Sequence, residues 1–147
     1  MTIKQEVAKL FSGTSTHSID AKGRIVLPAR FRQELGETFY VAKGFFDCIQ
    51  VLSCEEFEKL RLNIKALPAQ QALALQYAII ATAVEVTPNS QGRVPLSQNL
   101  RDAASLSKEA VVVGMDNRLE IWDKEKFDQM LANNQATVTK ALEMLSL

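Results

Sequence analysis

Two cysteines and one histidine are all the chain offers in thiolate and imidazole metal ligands. A structural zinc site needs four such groups at set spacings, so none can be assembled from Cys48, Cys54 and His17. The two cysteines read as reduced thiols. Long apolar runs are missing too. The longest, around Ala78-Ile79-Ile80-Ala81, is far short of the roughly 20 residues a bilayer requires, and nothing resembles a signal peptide. The expected location is therefore the cytoplasm. Charge of one sign is also lacking: 17 Lys and Arg balance 17 Asp and Glu. That argues against a protein that coats nucleic acid by bulk charge. Phosphate loops of the Walker type, a G-x-G-x-x-G after a strand and His/carboxylate metal motifs are absent as well. His17, the lone imidazole, has no marked nucleophile to serve as a base and sits at a period-2 position beside Ile19, as on a strand surface. No catalytic constellation and no cofactor follow.

What remains is a chain of 147 residues with an apolar fraction of 47%, enough for a real core. Charge is unevenly spread: residues 1–35 hold six Lys/Arg against three Asp/Glu, and residues 111–147 hold four against six. The basic end centres on His17-Ser18-Ile19-Asp20-Ala21-Lys22-Gly23-Arg24-Ile25-Val26-Leu27-Pro28. Asp20 can fold its carboxylate onto nearby backbone N–H groups, and Gly23 can take positive φ without steric cost. Gly13–Ile19 and Ile25–Leu27 read as strands on either side. Pro28 suits a helix start, the helix runs through Leu35, and Gly36 stands where a left-handed C′ residue is wanted. Arg30 and Arg32 follow close behind Lys22 and Arg24.

Further on, Phe39–Ala42 and Cys48–Leu52 read as a hairpin about Gly44. Ser53-Cys54-Glu55-Glu56 fits a capping box, with Phe57, Leu60, Ile64 and Leu67 at helical spacing behind it. Pro68 breaks that helix. The next, from Ala69, is apolar on most sides, which suggests burial between larger units. Residues 1–11 carry a weak helical pattern, and Val138, Leu142 and Leu145 mark a C-terminal helix.

The chain then repeats itself. Residues 85–97 align with 16–28 at an offset of 69, so Asn89 falls on Asp20, Gly92 on Gly23 and Arg93 on Arg24. Asn99-Leu100-Arg101 falls on Arg30-Phe31-Arg32. With one residue inserted, Val112-Val113-Gly114 matches Ala42-Lys43-Gly44, Leu119–Trp122 matches Ile49–Leu52, and Phe127 lands on Phe57. The order strand, turn, strand, helix, hairpin, helix recurs. The expected organisation is α+β and β-rich: unit 1 over 14–57, a helical connector over 58–83, unit 2 over 84–127, and a C-terminal helix or tail over 128–147. Units of about 45 residues are too small to bury a core alone, so they must share one.

Spacing supports two readings of Arg24. A guanidinium held just past a rigid turn can grip a phosphate or bond guanine O6 and N7 in a major groove, with Lys22 adding phosphate attraction. Alternatively, Arg24 forms an internal ion pair with Asp20, and Arg30 and Arg32 lie on a solvated helix face.

With the doubled motif in view, the chain closely resembles the MraZ family of bacterial transcriptional regulators, in the AbrB-like swapped-hairpin DNA-binding group. The family mark is D-x-x-x-R in two tandem units, here Asp20-Ala21-Lys22-Gly23-Arg24 and, with Asn for the acid, Asn89-Ser90-Gln91-Gly92-Arg93. The resemblance implies two pseudo-symmetric β-barrel half-units and a ring-shaped homo-oligomer. It also implies binding to short direct repeats in promoter DNA of the division and cell-wall operon, usually as a repressor, at the nucleoid. The signature arginines then carry over to Arg24 and Arg93. Asn89 can cap its turn but cannot pair ionically with Arg93, and Gln91 replaces Lys22, so the first turn is expected to dominate. A different class of reading is a non-catalytic assembly protein whose turns dock a protein partner. A third, an enzyme on a related barrel, has no residue to recommend it.

Overall fold

The computed structural model describes residues 10–145. The helical lead-in expected over residues 1–11 lies largely outside them. Its last residue, Phe11, forms a β-bridge with Asp116 and is buried. The first unit runs β1 (Thr14–Ser18), β2 (Arg24–Val26), α1 (Ala29–Leu35), β3 (Phe39–Lys43), β4 (Ile49–Ser53), α2 (Cys54–Lys65) and α3 (Ala69–Ala78). A 3₁₀ turn at Ile80–Thr82 leads to the second: β5 (Val84–Val86), β6 (Arg93–Pro95), α4 (Gln98–Ala103), β7 (Glu109–Met115), β8 (Arg118–Asp123), α5 (Lys124–Asn133) and α6 (Gln135–Met144).

Neither unit forms its own sheet. Six strands pair in the order β1-β7-β8-β4-β3-β5, and β2 pairs with β6 in a separate two-stranded ribbon. The first strand of each unit has crossed to the third strand of the other. The registers match: Thr16 faces Val111 as Glu85 faces Tyr40, and His17 faces Ala110 as Val86 faces Phe39. An approximate two-fold axis passes where a residue meets its own counterpart, Ile25 against Val94 in the ribbon and Gln50 against Glu120 between β4 and β8. β1 and β5 are the sheet edges, so the ladders do not close into one continuous barrel.

Both units fill one main core, and a smaller cluster of Cys48, Val111, Val113 and Trp122 lies apart from it. Ile25, Leu27, Phe31 and Leu35 meet their counterparts Val94, Leu96, Leu100 and Ala104, and Phe39, Val41, Ile49 and Val51 meet Ala110, Val112, Leu119 and Ile121. Unit 1 supplies the larger partner at Ile25/Val94, Phe31/Leu100, Leu35/Ala104 and Phe39/Ala110. Close packing across an axis lets one half's bulk fill the other half's deficit.

Several expectations are corrected. The pairing of Gly114 with Leu119 and of Lys43 with Ile49 makes Lys43, not Gly44, the counterpart of Gly114. The glycines had aligned on identity, whereas unit 1 closes its hairpin with a longer loop. Ser53 Oγ accepts from the Glu56 N–H at 3.1 Å, but Glu56 does not reach back. Ser53 stays in the β4 ladder opposite Phe39, and the Glu56 carboxylate meets Lys59 and Asn117 instead. Gly36 has positive φ, but with ψ −177° it lies in the extended mirror region rather than the left-handed helical one. The apolar helix α3 is not enclosed. Only Ala72 is buried, and Leu73 and Tyr77 are 52% and 72% exposed, because α3 packs mainly on α2 and the 3₁₀ turn. The C-terminal stretch is two helices broken at Asn134, and α2–α3 and α5–α6 occupy equivalent places behind β4 and β8. The expected unit boundaries at 57/58 and 127/128 therefore fall inside α2 and α5.

Candidate nucleic-acid interface

The two turns are built alike. In the first, Asp20 Oδ1 accepts from the backbone N–H of Lys22 (2.9 Å) and of Arg24 (2.8 Å), while the Gly23 N–H donates to the Asp20 carbonyl (2.9 Å). In the second, Asn89 Oδ1 accepts from Gln91 N–H (3.0 Å) and Arg93 N–H (2.9 Å), and Gly92 N–H donates to the Asn89 carbonyl (2.9 Å). The fold of the turn needs one side-chain acceptor oxygen, which Asn and Asp both supply. Gly23 and Gly92 both hold φ of 76°, where a Cβ would be strained.

The difference lies in the second oxygen. Asp20 Oδ2 accepts from Arg24 Nε at 2.8 Å, so the internal ion pair is formed. It uses only Nε. Among the described residues neither terminal nitrogen of Arg24 has a protein partner. The two readings of Arg24 are thus compatible: the carboxylate holds the guanidinium by its inner edge and leaves the outer fork open. Asn89 has no charge to offer Arg93, and Arg93 Nε instead lies 3.9 Å from the same Asp20 Oδ2 of the first unit, while its terminal nitrogen donates to Gln91 Oε1. One carboxylate faces both signature arginines. The hydrogen bond from the Arg24 amide is the largest influence on the Asp20 carboxyl; desolvation opposes it, and the Arg24 guanidinium and the Lys22 amide add enough to hold the group below the usual carboxylate range. Lys22 is exposed in the same turn.

The turns are tied to each other across the ribbon. Leu27 N–H donates to the Gly92 carbonyl (3.1 Å) and Leu96 N–H to the Gly23 carbonyl (3.0 Å). The basic residues behind the first turn then part company. Arg30 points away: its Nη1 donates to the Ser12 carbonyl and its guanidinium lies over the Phe31 ring. Arg32 donates from Nε to the Leu27 carbonyl (3.0 Å), and its counterpart Arg101 donates to the Leu96 carbonyl (3.1 Å). Neither lies on a freely solvated face. Both are half-buried, and sequence reasoning missed them, although the offset of 69 had already aligned Arg101 with Arg32.

The remaining candidates are placed apart. His17 is half-buried opposite Ala110 and shares a 2.8 Å hydrogen bond with Ser15 Oγ, and burial lowers its pKa, favouring the neutral ring. Burial pushes the Cys48 thiol up to about 12, while Cys54 is exposed. Among the described residues no three His, Cys, Asp or Glu side chains are grouped to hold a metal ion, and no helix is long and apolar enough to cross a membrane.

A family model described as "MraZ protein, putative antitoxin-like" matches this chain twice, at residues 10–76 and 79–146. The chain belongs to the MraZ family. Each match takes in one turn and one pair of trailing helices. Among relatives, the protein named "Transcriptional regulator MraZ" of Carboxydothermus hydrogenoformans is 41% identical over 138 residues, covering 92% of this chain and 96% of its own. Those of the same name from Desulforamulus reducens and Thermoanaerobacter sp. (strain X514) are 40% and 37% identical, over 91% and 92% of this chain and 96% of each relative.

Proposed function

We propose that this chain is a sequence-specific DNA-binding transcriptional regulator, non-enzymatic, that reads DNA through the ribbon face carrying Arg24 and Arg93. The observation that carries it is the state of Arg24: Nε is fixed by Asp20 while, among the described residues, the outer fork has no partner, on a turn closed by its own hydrogen bonds. Such a guanidinium is prepared to make two bonds to a phosphate or to one guanine edge. Lys22 adds backbone attraction, and Arg93 adds a second, less firmly held contact. The name borne by the relatives supports the same reading. The exchange of first strands between units supports placing them in the AbrB-like swapped-hairpin group.

The finer reading is that copies of the chain assemble as a ring and bind short direct repeats upstream of the division and cell-wall operon, repressing it at the nucleoid. A neutral subunit is adequate when several turns act together on one DNA, because affinity then comes from linked contacts. Selection of bound fragments from a random DNA pool tests this, with spaced short repeats the expected product. Arg24→Ala should weaken binding to the selected DNA by at least about tenfold, as loss of a two-bond base contact does. Its assembly size in light scattering should not change. Wild-type binding should fall steeply with added salt.

The exposed apolar residues of the helical pairs, Leu62, Leu73 and Tyr77 on one and Val138 and Leu142 on the other, favour a second role in docking protein surfaces. An assembly that enriches no DNA would leave that role standing alone, whereas an Arg24→Ala variant that binds DNA like the wild type would remove Arg24 as the contact.

A further inference from the structure

Arg32 and Arg101 sit at equivalent positions of α1 and α4, and each lies against the turn of the opposite unit. A Cβ built on Gly23 would stand 2.8 Å from Arg101 Cζ and 2.9 Å from its Nε and Nη2. One built on Gly92 would stand 2.8 Å from Arg32 Nε and 2.9 Å from its Cζ. Each guanidinium therefore occupies the space that the bare glycine leaves open. Each is fixed there by its own backbone bond, Arg101 to the Leu96 carbonyl and Arg32 to the Leu27 carbonyl. The same Leu96 donates its N–H to the Gly23 carbonyl, and Leu27 donates to that of Gly92. Two ties, one from the strand and one from the helix, thus converge on each turn from the other unit.

We propose that Arg101 and Arg32 are positioning residues that act crosswise: Arg101 sets the turn that presents Arg24, and Arg32 sets the turn that presents Arg93. Arginine suits the task for a specific reason. Its planar group directs Nε at a carbonyl while its flat body fills a slot one methyl group deep, and a lysine ammonium cannot do both. The proposal rests on the reading of Arg24 as the principal DNA contact, and it makes an assignment that chain order would reverse. Arg32 is eight residues from Arg24 and in its own unit, yet Arg101 is the residue on which Arg24 depends.

The test is a matched pair of full-length variants, Arg101→Ala and Arg32→Ala, with two readouts. The first is the titration of the Asp20 carboxyl followed by NMR. The second is affinity for the DNA chosen by the selection above. Arg101→Ala should return the Asp20 pKa toward its ordinary range and weaken binding about tenfold; Arg32→Ala should leave Asp20 in place and weaken binding less than about threefold. A merely structural role would move both variants alike, since the two residues make the same bonds. Equal effects, or a larger effect from Arg32→Ala, would overturn the proposal. Should Arg101→Ala fail to fold, Arg101→Lys keeps charge and stem and is expected to lose the low Asp20 pKa all the same; an unmoved Asp20 in that variant counts against the proposal. If Arg24→Ala binds like the wild type, the reading of Arg24 as the principal DNA contact fails while the Asp20 titration still decides the crossed positioning.

Discussion

Asp20→Asn is the change that the second turn already carries. Asn89 shows that an amide oxygen closes this turn as well as a carboxylate does, so the variant is expected to fold with its turn intact. What it loses is the charge facing Arg24 and Arg93 at once. Because the folded state lowers the Asp20 pKa, the stabilisation is present at pH above its ordinary value of 3.8 and disappears as pH falls through the lower folded value. Urea denaturation across that acid range should show a fall in stability for the wild type that is smaller in Asp20→Asn. An unchanged acid limb would remove Asp20 from the account. At this scale the sequence was informative about acceptors and donors: Asp20, Gly23, Asn89 and Gly92 could be placed in turns from residue type alone. It could not show that Arg93 borrows the acid of the other unit, because that contact spans 73 positions and depends on the ribbon register.

The helices α1 and α4 tie the turns to the core. Leu100 is almost fully buried at the position equivalent to Phe31, and removing it opens a cavity that its neighbours, drawn from both units, cannot readily refill. Leu100→Ala should destabilise the protein by about 2–5 kcal/mol, read as a shift in the urea midpoint. A loss below about 0.5 kcal/mol, the range of an ordinary surface change, would contradict the shared core. Elements were legible where periodicity was strong: the strands, the helices after Ser53 and Pro68, and the hairpins all left patterns. Their partners were not. Alternating burial in β1 says that one face is covered, but nothing local to Thr14–Ser18 names Val111–Val113 as its neighbours. The one-residue slip at Gly114 has the same origin, since an identical residue was a stronger local signal than the ladder. The apolar pattern of α3 pointed to burial between the units, and the structure leaves Leu73 and Tyr77 exposed instead, because composition alone does not place a helix.

For the molecule as a whole, the exchange of strands forbids independent halves. β1 and β3 find their outer partners only in unit 2, and β5 and β7 only in unit 1. Thermal or urea unfolding should be a single transition by both far-ultraviolet dichroism and Trp122 fluorescence. A fragment ending at Thr82 should be unfolded alone and gain structure when mixed with residues 83–147. Two separate transitions, or a folded lone fragment, would refute the interleaved sheet. That the copies share a core was readable from their size; that they share it within one chain was not.

A true two-fold dimer shows a DNA duplex the same face from either direction, and such faces suit palindromes. Here the halves are fused and differ, and the carboxylate that faces both signature arginines, Asp20, belongs to one turn alone among the described residues. The face therefore has a head and a tail. A reader with a head and a tail can tell a short sequence from its reverse complement, and successive copies set side by side would all point the same way along the strand. On the proposed function, the unlike turns, Asp20 with Lys22 on one side and Asn89 with Gln91 on the other, give the reading its direction.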